Sequence, residues 1–553
     1  MKRFVSALSA CLVVAVAAAA IEARQVEQPG AAAIDQVFAR WTSNTPGCAV
    51  GVSEGGKVVF DKAYGMADLE HGAPNAAGTI FEAGSVSKQF TAAAILLLAR
   101  EGRLSLDDPV RKYIPELPDY GEPLLIRHML QHTSGLRDWG EVEAIAGWPR
   151  TTRVYTQAHV LDIASRQKAL NFEPGTRWSY SNTGYNLAAI IVSRVSGQPF
   201  PEFCRRHIFE PLGMTHTSWR DDFRRTVKSR AIAYDETKDG AYREDMPFEN
   251  VYGNGGLLTT VGDLLRWNEN AVDQKVGDAE FLREELHPGQ FNDGTPYNYA
   301  MGLYIRTFMG TAEVSHSGST AGYRAFLARY PAQRLSVAVL CNVSSAATET
   351  YAHAVAALYL GAKTGGRAPG QAQRKAPEIP DTSLESRVGL YRSALTGLPI
   401  AVTLHDSSLS IAAGTGSPAA LQPLSASKFR APESGRTYEW ESADLVRATS
   451  GNGAWETYER VERAKPGGDE LRPLAGTYVS DEAEVELTVT AKGRKLRVFR
   501  RPNTTFTLTP AYRDAFLARG LGLVRFRRDA AGAVTGLSVT TDRVWDLRFA
   551  KRQ

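Results

Sequence analysis

The last third of the chain repeats itself, and this duplication constrains the architecture more than any other feature. The segment VGLYRS at 388–393 recurs as AGTYVS at 475–480, which places Tyr391 and Tyr478 87 residues apart. The match continues at this spacing without a gap, pairing Leu409 with Leu496, Leu421-Gln422-Pro423 with Leu508-Thr509-Pro510, and Phe429 with Phe516. Each copy has short alternating apolar segments between polar turns, which is typical of antiparallel strands. We therefore predict two small antiparallel β-barrel-like repeats, 381–465 and 470–553.

A linker and a larger mixed domain precede the repeats. The stretch GAKTGGRAPGQAQRKAPEIP is rich in glycine, proline and charge and lacks apolar periodicity, so we place a linker at 363–380. Before it, CAVGVSEGGKVVFDKAYG at 48–65 predicts a β-hairpin and 335–340 predicts another strand, while apolar helices fill the middle. A chain of 553 residues also exceeds what one hydrophobic core usually holds. We predict a first domain at 30–362.

The N-terminus has the pattern of a secretory signal peptide. Lys2 and Arg3 precede an uncharged apolar run at 4–21, followed by small residues suited to cleavage. We predict a signal peptide at 1–23 and a periplasmic or secreted product without stable membrane insertion. An uncleaved anchor is the alternative, although the alanine-rich end of the run is only weakly hydrophobic. Cys11 precedes most of the apolar run, which argues against a lipoprotein anchor.

Composition and the positions of cysteine and histidine argue against several classes of function. The net charge is only +4 and no long basic run occurs, which argues against nucleic-acid binding. Cys48, Cys204 and Cys341 are an odd, widely spaced set that allows at most one disulfide; we interpret them as buried free thiols. His128 and His132 have a zinc-binding spacing, but no glutamate or third ligand accompanies them. We predict no metal and no other cofactor.

The first chemical motif is Ser85-Val86-Ser87-Lys88, which enters an apolar helix that ends near Gly102. Positions i and i+3 share a helix face. A serine hydroxyl needs a base, and a lysine one turn away can serve if burial or neighbouring cations lower its pKa. The Ser85 amide at the helix N-terminus is a candidate oxyanion-hole donor. The same spacing recurs at Ser425-Ala426-Ser427-Lys428, but without an apolar helix, so we interpret that copy as solvated surface.

The second motif is Tyr180-Ser181-Asn182, which follows a turn at 174–179. A tyrosine flanked by cations can ionise near neutral pH and relay protons, and an asparagine can hold a substrate amide. The sequence Tyr252-Gly253-Asn254 has the same spacing, but its glycine-rich surroundings predict a flexible loop bordering the cleft.

The third motif is His316-Ser317-Gly318, followed by Ser319, in a predicted strand that begins near Ala312. Gly318 would let a substrate backbone approach, and the Ser319 amide would be the second oxyanion donor. His287-Pro288-Gly289 has a similar pattern, but its proline favours a turn over a strand edge.

Taken together and in this order, S-x-x-K, Y-x-N and H-x-G resemble the active site of penicillin-binding proteins and class C β-lactamases. The resemblance covers about 33–360 and includes His132-Thr133-Ser134-Gly135-Leu136 and the stretch at 255–260. It implies an α/β (α+β) domain with an antiparallel sheet flanked by helices. It also implies that Ser85 is acylated, that Lys88 and Tyr180 move protons, and that the substrate-binding residues are Asn182, His316, Gly318 and Ser319.

One departure from the family pattern affects the predicted substrate. Class C β-lactamases usually carry lysine at the third motif, whereas His316 is neutral over much of the working pH range and would hold a carboxylate weakly. This favours the peptidase or esterase branch, and the D-aminopeptidases that the sequence resembles also carry two C-terminal β domains. We predict acyl-enzyme hydrolysis of small amides or short peptides containing D-amino acids, by a D-aminopeptidase-like or D-Ala carboxypeptidase-like enzyme.

Two other functions stay open. One is an esterase or β-lactamase of the same fold; the other is a binding or sensor protein that has lost turnover. The repeats offer no recognisable chemistry, so we interpret them as structural support in preference to a substrate gate or oligomerisation surface. The sequence leaves the formation of a homo-oligomer open.

Overall fold

The computed structural model describes residues 30–150, 152–363, 384–432, 434–450 and 453–552. The predicted signal peptide, 1–23, lies outside these residues, as does the predicted linker, 363–380, apart from its first residue. Within the described ranges, no helix has the length and apolar character needed to cross a bilayer.

Helices form most of the middle of the first domain. In chain order they are α1 (Ala31–Val37), α2 (Ser87–Arg100), α3 (Ile126–Leu130), α4 (Trp139–Ala146), α5 (Gln157–Ser165), α6 (Asn182–Ser196), α7 (Phe200–Cys204), α8 (Glu210–Leu212), α9 (Val261–Asp273), α10 (Ala279–Glu285) and α11 (Thr348–Lys363), with α12 (Gly468–Leu471) before the second repeat. Helix α2 is buried on nearly every side, as its apolar sequence requires.

Antiparallel strands form the other part of the first domain. They are β1 (Cys48–Glu54), β2 (Lys57–Tyr64), β3 (Met66–Asp68), β4 (Ala73–Pro74), β5 (Phe81–Glu82), β6 (Ser218–Trp219), β7 (Tyr234–Glu236), β8 (Tyr242–Glu244), β9 (Leu257–Thr259), β10 (Tyr304–Phe308), β11 (Thr311–Thr320), β12 (Tyr323–Tyr330) and β13 (Leu335–Cys341). The main sheet has the order β10-β11-β12-β13-β1-β2, and β1 and β2 form the predicted hairpin.

Helices cover both faces of this sheet. Helices α1 and α11 contribute to one hydrophobic cluster with the sheet, and α2 and α9 contribute to the other. The ring centroids of Phe90 in α2 and Trp267 in α9 are 4.5 Å apart, which ties these two helices together. The predicted antiparallel sheet flanked by helices is therefore confirmed.

The cysteine interpretation was wrong for two of the three residues. Strands β1 and β13 are neighbours, and their register sets Cys48 directly opposite Cys341, with which it forms a disulfide. Cys204 is a buried free thiol. Two cysteines separated by 293 residues become neighbours only through strand pairing, which their spacing in the sequence does not reveal.

Both C-terminal repeats form barrel-like sheets, as predicted. The first has nine strands, β14 (Gly389–Ser393), β15 (Pro399–His405), β16 (Ser408–Ala413), β17 (Ala419–Ala420), β18 (Gln422–Pro423), β19 (Lys428–Arg430), β20 (Thr437–Trp440), β21 (Leu445–Thr449) and β22 (Trp455–Val461). The second has eight, β23 (Gly476–Ser480), β24 (Val485–Lys492), β25 (Lys495–Arg500), β26 (Thr504–Pro510), β27 (Ala515–Ala518), β28 (Gly522–Arg528), β29 (Val534–Thr540) and β30 (Leu547–Lys551).

The two repeats differ in closure. The second is a closed barrel, whereas the first is an open sheet whose edge strands are β17 and β18. At the 87-residue offset these two short strands correspond to the single strand β26, so the interruption at Leu421 leaves the first barrel open. The matched tyrosines make the same bond: Tyr391 donates to Arg387 O (2.9 Å) and Tyr478 donates to Leu474 O (2.8 Å).

The second barrel packs tightly on the first domain. Side chains of α4 and α5 share one hydrophobic cluster with the barrel interior, including Trp139 and Val142. The buried Arg137 forms an ion pair with the buried Glu482 of the barrel (2.6 Å) and donates to Trp545 O (3.1 Å). This extensive contact fixes the barrel against the domain that carries the three motifs.

Candidate active site

Ser85 lies in a short 3-10 turn, Gly84–Val86, immediately before α2. Two glycines let this turn contact β11 closely. Gly84 has a left-handed backbone (φ +51°), and a Cβ atom there would lie 2.5 Å from Ser319 N. A Cβ atom on Gly318 would lie 2.0 Å from Ala83 O. Gly318 was predicted to let a substrate backbone approach, but in the structure the backbone of Ala83 occupies the space beside it.

Lys88 lies beneath Ser85 and is fully buried. Its Nζ is 3.1 Å from Ser85 Oγ, 3.0 Å from Asn182 Oδ1 and 2.7 Å from Asn254 O. Burial holds the pKa of Lys88 well below its usual value of 10.5, and the positive charges of Arg543 and Arg150 lower it further. A lysine that acts as a general base near neutral pH requires such a lowered pKa.

The three neighbours of Lys88 determine how a neutral amine is oriented there. The oxygens of Asn182 and Asn254 can only accept hydrogen bonds, so they take the two N–H groups of the amine. The nitrogen lone pair is then left for the Ser85 hydroxyl. Asn182 is itself fixed at the start of α6, because its backbone N–H donates to the buried Asp138 carboxylate (2.8 Å).

Tyr180 lies beside the nucleophile, and its side chain hydrogen-bonds with that of Ser85. Two basic side chains contact its ring, with Lys88 Nζ 4.8 Å and Arg543 Cζ 4.9 Å from the ring centroid. Burial nevertheless raises the pKa of Tyr180 well above its usual value. Desolvation outweighs the favourable effect of Arg543 on the phenolate, so the environment in the structure opposes the predicted ionisation of Tyr180 near neutral pH and favours the protonated hydroxyl.

His316 lies in β11, and both of its ring nitrogens are occupied by protein groups. Nδ1 donates to Ser317 O (2.6 Å), which leaves Nε2 to accept from the Tyr299 hydroxyl (3.1 Å). Burial lowers the pKa of His316 to about 3, so the ring is neutral at working pH. It lines the cavity but has neither a charge nor a free polar atom for a substrate carboxylate.

The two histidines interpreted as structural have structural contacts. His132 Nδ1 accepts from Ser181 N (3.2 Å), and its ring centroid is 4.2 Å from that of Tyr180. His128 Nδ1 accepts from Leu125 N (3.3 Å). Among the residues that the structure describes, no three or more His, Cys, Asp or Glu side chains are grouped to hold a metal ion.

A cavity of about 770 Å³ opens above Ser85. Six of the seven residues predicted for the site line it, and the seventh, Lys88, lies below. The six are Ser85, Tyr180, Asn182, His316, Gly318 and Ser319. The second S-x-x-K copy is far from this arrangement: Ser425 is exposed, and Lys428 pairs with Glu439 on the surface of the first repeat (3.6 Å).

Sequence reasoning missed four residues of the site. Asn254 belongs to the loop predicted to be flexible, but it is buried and binds Lys88 through its carbonyl. Asp138 and Tyr304 have no local pattern that marks them. Arg543 comes from the second repeat, which was interpreted as structural support; the structure places its side chain in the lining of the cavity. Of these four residues, only Asn254 had a signal in the sequence, namely the glycines that surround it.

Comparison with known proteins agrees with this geometry. The family model for Beta-lactamase matches residues 19–362, more than half of the chain. The chain belongs to the beta-lactamase family. A D-aminopeptidase from Brucella anthropi is 26% identical over 519 residues, which cover 89% of this chain and 93% of that protein. Penicillin-binding protein 4* from Bacillus subtilis (strain 168) is 29% identical over 308 residues, 52% of this chain and 66% of that protein.

A solved structure extends the likeness beyond the catalytic domain. The octameric penicillin-binding protein homologue from Pyrococcus abyssi has a TM-score of 0.55 and 25% identity, covering 86% of this chain and 98% of its own. The family and the D-aminopeptidase relative make this chain a serine hydrolase of the beta-lactamase fold.

Proposed function

We propose that this hydrolase cleaves small amides or short peptides containing D-amino acids, through an acyl-enzyme on Ser85. The observation that carries the proposal is the position of Lys88, buried, depressed in pKa and held so that its lone pair faces Ser85 Oγ at 3.1 Å. The named activity of the D-aminopeptidase relatives supports the choice of substrate.

In acylation, Lys88 takes the proton of Ser85 while Oγ forms a bond to the scissile carbonyl carbon. The amides of Ser85 and Ser319, brought together by the contact between Gly84 and β11, would bind the developing oxyanion. As the C–N bond breaks, protonated Tyr180 gives its proton to the leaving amine. The Lys88 ammonium then returns a proton to Tyr180, which restores both groups.

In deacylation, a water molecule attacks the ester carbon and Lys88 again acts as the base. The bond to Ser85 Oγ breaks, and the serine recovers its proton from Lys88. Asn182 holds Lys88 through its side-chain oxygen and lines the cavity beside the reacting carbonyl, where it would contact the substrate amide.

The test uses a D-alanine anilide, a nitrophenyl ester and a chromogenic cephalosporin with the mature protein and two variants. We expect Ser85→Ala to abolish hydrolysis of every substrate that the protein cleaves, and the surface control Ser425→Ala to leave it unchanged. Intact-mass spectrometry of quenched reactions should show an acyl adduct that Ser85→Ala lacks. Retained activity in Ser85→Ala would refute the nucleophile.

The same three substrates distinguish the alternative functions. A strong preference for the ester or the cephalosporin would replace the amidase proposal by an esterase or β-lactamase. An adduct that forms on Ser85 and never turns over would indicate a binding or sensor protein.

We also propose that the protein is exported, and its predicted signal peptide and the Cys48–Cys341 disulfide support this, because disulfides persist in oxidising compartments. N-terminal sequencing of the protein from cell fractions tests it. A mature N-terminus near residue 24 in the periplasm or medium is expected, and an intact Met1 in the cytoplasm would refute export.

Self-association is a further proposal, supported by the octameric homologue from Pyrococcus abyssi. Light scattering coupled to size-exclusion chromatography should give a mass above that of one 60.2 kDa chain. A monomer mass across the micromolar range would refute the proposal.

A further inference from the structure

Arg543 carries a positive charge from the second barrel into the catalytic cavity. It lies in the loop between β29 and β30 and lines the cavity together with Ser85 and Tyr180. It also borders a second cavity of about 360 Å³, formed where the first domain and both repeats meet. The Arg543 side chain therefore lies between the catalytic cavity and a second cavity that could hold the rest of a peptide substrate.

The first domain holds this loop in place. Arg543 O accepts hydrogen bonds from Asp138 N (3.3 Å) and from the Asn171 side chain (3.0 Å). The next residues are anchored as well, since Val544 is fully buried and Trp545 N donates to Asn171 Oδ1 (2.8 Å). Because these bonds involve the backbone, replacing the Arg543 side chain should leave the loop where it is.

Within the described part of the chain, no carboxylate lies close enough to the guanidinium of Arg543 to form an ion pair, although the nearby Glu141 feels its charge. The contact of the guanidinium is the face of Tyr180, at 4.9 Å, and no ion pair or side-chain hydrogen bond to it is formed there. A partly buried arginine whose planar donors face a cavity is suited to binding a carboxylate in bidentate fashion.

The other charges of the cavity leave a positive surplus. Glu349 is the acidic residue of the lining, and it is paired with Arg306 (3.0 Å). Arg150 is paired with the buried Glu249. Arg324 also lines the cavity and has no carboxylate within ion-pair distance among the described residues. The charges of Asp235 and Asp245 partly compensate it, so it adds less to the positive field than Arg543 does.

We propose that Arg543, with Arg324 adding to the positive field, binds a carboxylate of the substrate beside Ser85. This inference rests on the proposed function and narrows it to amides and peptides that carry a free carboxylate, such as a C-terminal D-amino acid. Arg543, which belongs to the second barrel, would then bind the carboxylate that the neutral His316 cannot bind. Within the proposed class of D-amino-acid amides and peptides, the subsite should therefore improve the binding of substrates that carry a carboxylate relative to those that lack one, such as a D-alanine anilide.

The test compares N-acetyl-D-alanyl-D-alanine with its C-terminal amide, two peptides that differ in one charge. Binding is measured by isothermal titration calorimetry on the full-length Ser85→Ala protein, so that the result does not depend on turnover. Arg543→Gln removes the charge, Arg543→Lys keeps it, and Arg494→Gln changes an exposed arginine in the β24–β25 turn as a matched control. Thermal denaturation checks that all variants are folded.

We expect the acid to bind more tightly than the amide, and Arg543→Gln to weaken acid binding about 10- to 100-fold, the effect of losing a charge-assisted hydrogen bond. Amide binding should change less than threefold, Arg543→Lys should recover part of the loss, and Arg494→Gln should match the parent. Equal loss for both peptides, no discrimination between them, or no binding of either would overturn the inference.

Hydrolysis of the two peptides by the wild-type protein separates this inference from the proposed function. Turnover of both at equal kcat/KM, abolished in Ser85→Ala, would leave the amidase standing and refute the carboxylate subsite. Selective binding of the acid without any turnover of D-peptides would refute the amidase and retain the subsite.

Discussion

Replacing Gly318 by alanine should separate the oxyanion hole from the nucleophile. An added Cβ atom would lie 2.0 Å from Ala83 O, whereas real Cβ contacts are essentially never shorter than 3.0 Å. The clashing atom is a backbone oxygen, which cannot rotate away as the end of a flexible side chain could. Strand β11 and the turn that carries Ser85 must therefore move apart by about 1 Å to restore a 3.0 Å contact. A displacement of this size in a reacting group costs roughly 100-fold in rate.

Steady-state kinetics with the preferred amide substrate would measure this effect. We expect kcat to fall about 100-fold in Gly318→Ala, with a smaller change in KM, because the damage is to transition-state binding. The control is Gly262→Ala, where the nearest atoms to the new Cβ lie 3.9 Å away and activity should be unchanged. A folded Gly318→Ala protein with more than half of the wild-type kcat would refute the reasoning.

Three further predictions concern pH and stability. Activity needs the free amine of Lys88, so kcat/KM should fall about tenfold for each pH unit below the Lys88 pKa. Because burial lowers that pKa, a pH profile of kcat/KM should still show activity near neutral pH. A loss of activity that begins as the pH falls below 10.5 would contradict the assignment of Lys88 as the base. Replacing both Cys48 and Cys341 by alanine removes a covalent link between residues 293 positions apart. The unfolded chain then gains conformational entropy, so the free energy of unfolding should fall by roughly 5 to 6 kcal/mol, which denaturant titration would measure. Arg137→Met should cost about 3 to 5 kcal/mol in the same assay by leaving Glu482 buried and unpaired, and a second change, Glu482→Leu, should recover part of it.

Local features of the fold were predictable because they depend on neighbouring residues. The apolar run after Lys88 predicted α2, and the polar turn at 54–56 predicted the β1–β2 hairpin. Helix α9 also begins with a local signal, because the Thr260 side chain accepts a hydrogen bond from Asp263 N in its first turn (3.2 Å). The repeat offset predicted two similar sheets, since equal spacing places equivalent tyrosines at equivalent positions.

The missed features all depend on residues that are far apart in the sequence. The disulfide needs the register between β1 and β13, and Arg543 reaches the cavity only because the second barrel packs on α4 and α5. The state of Tyr180 depends on how completely the surrounding aromatic side chains exclude water. Desolvation of this kind depends on the three-dimensional packing, so the expectation that flanking cations would favour ionisation could not take it into account.

The position of Arg543 connects substrate binding to the strength of the base. In the free enzyme its positive charge is one of the causes that lower the pKa of Lys88. A bound carboxylate would offset that charge, so the Lys88 amine would regain some affinity for the Ser85 proton at the moment when acylation begins. A neutral substrate cannot produce this change. A peptide acid should therefore exceed its amide in kcat as well as in binding, and Arg543→Gln should remove the difference in kcat between the two.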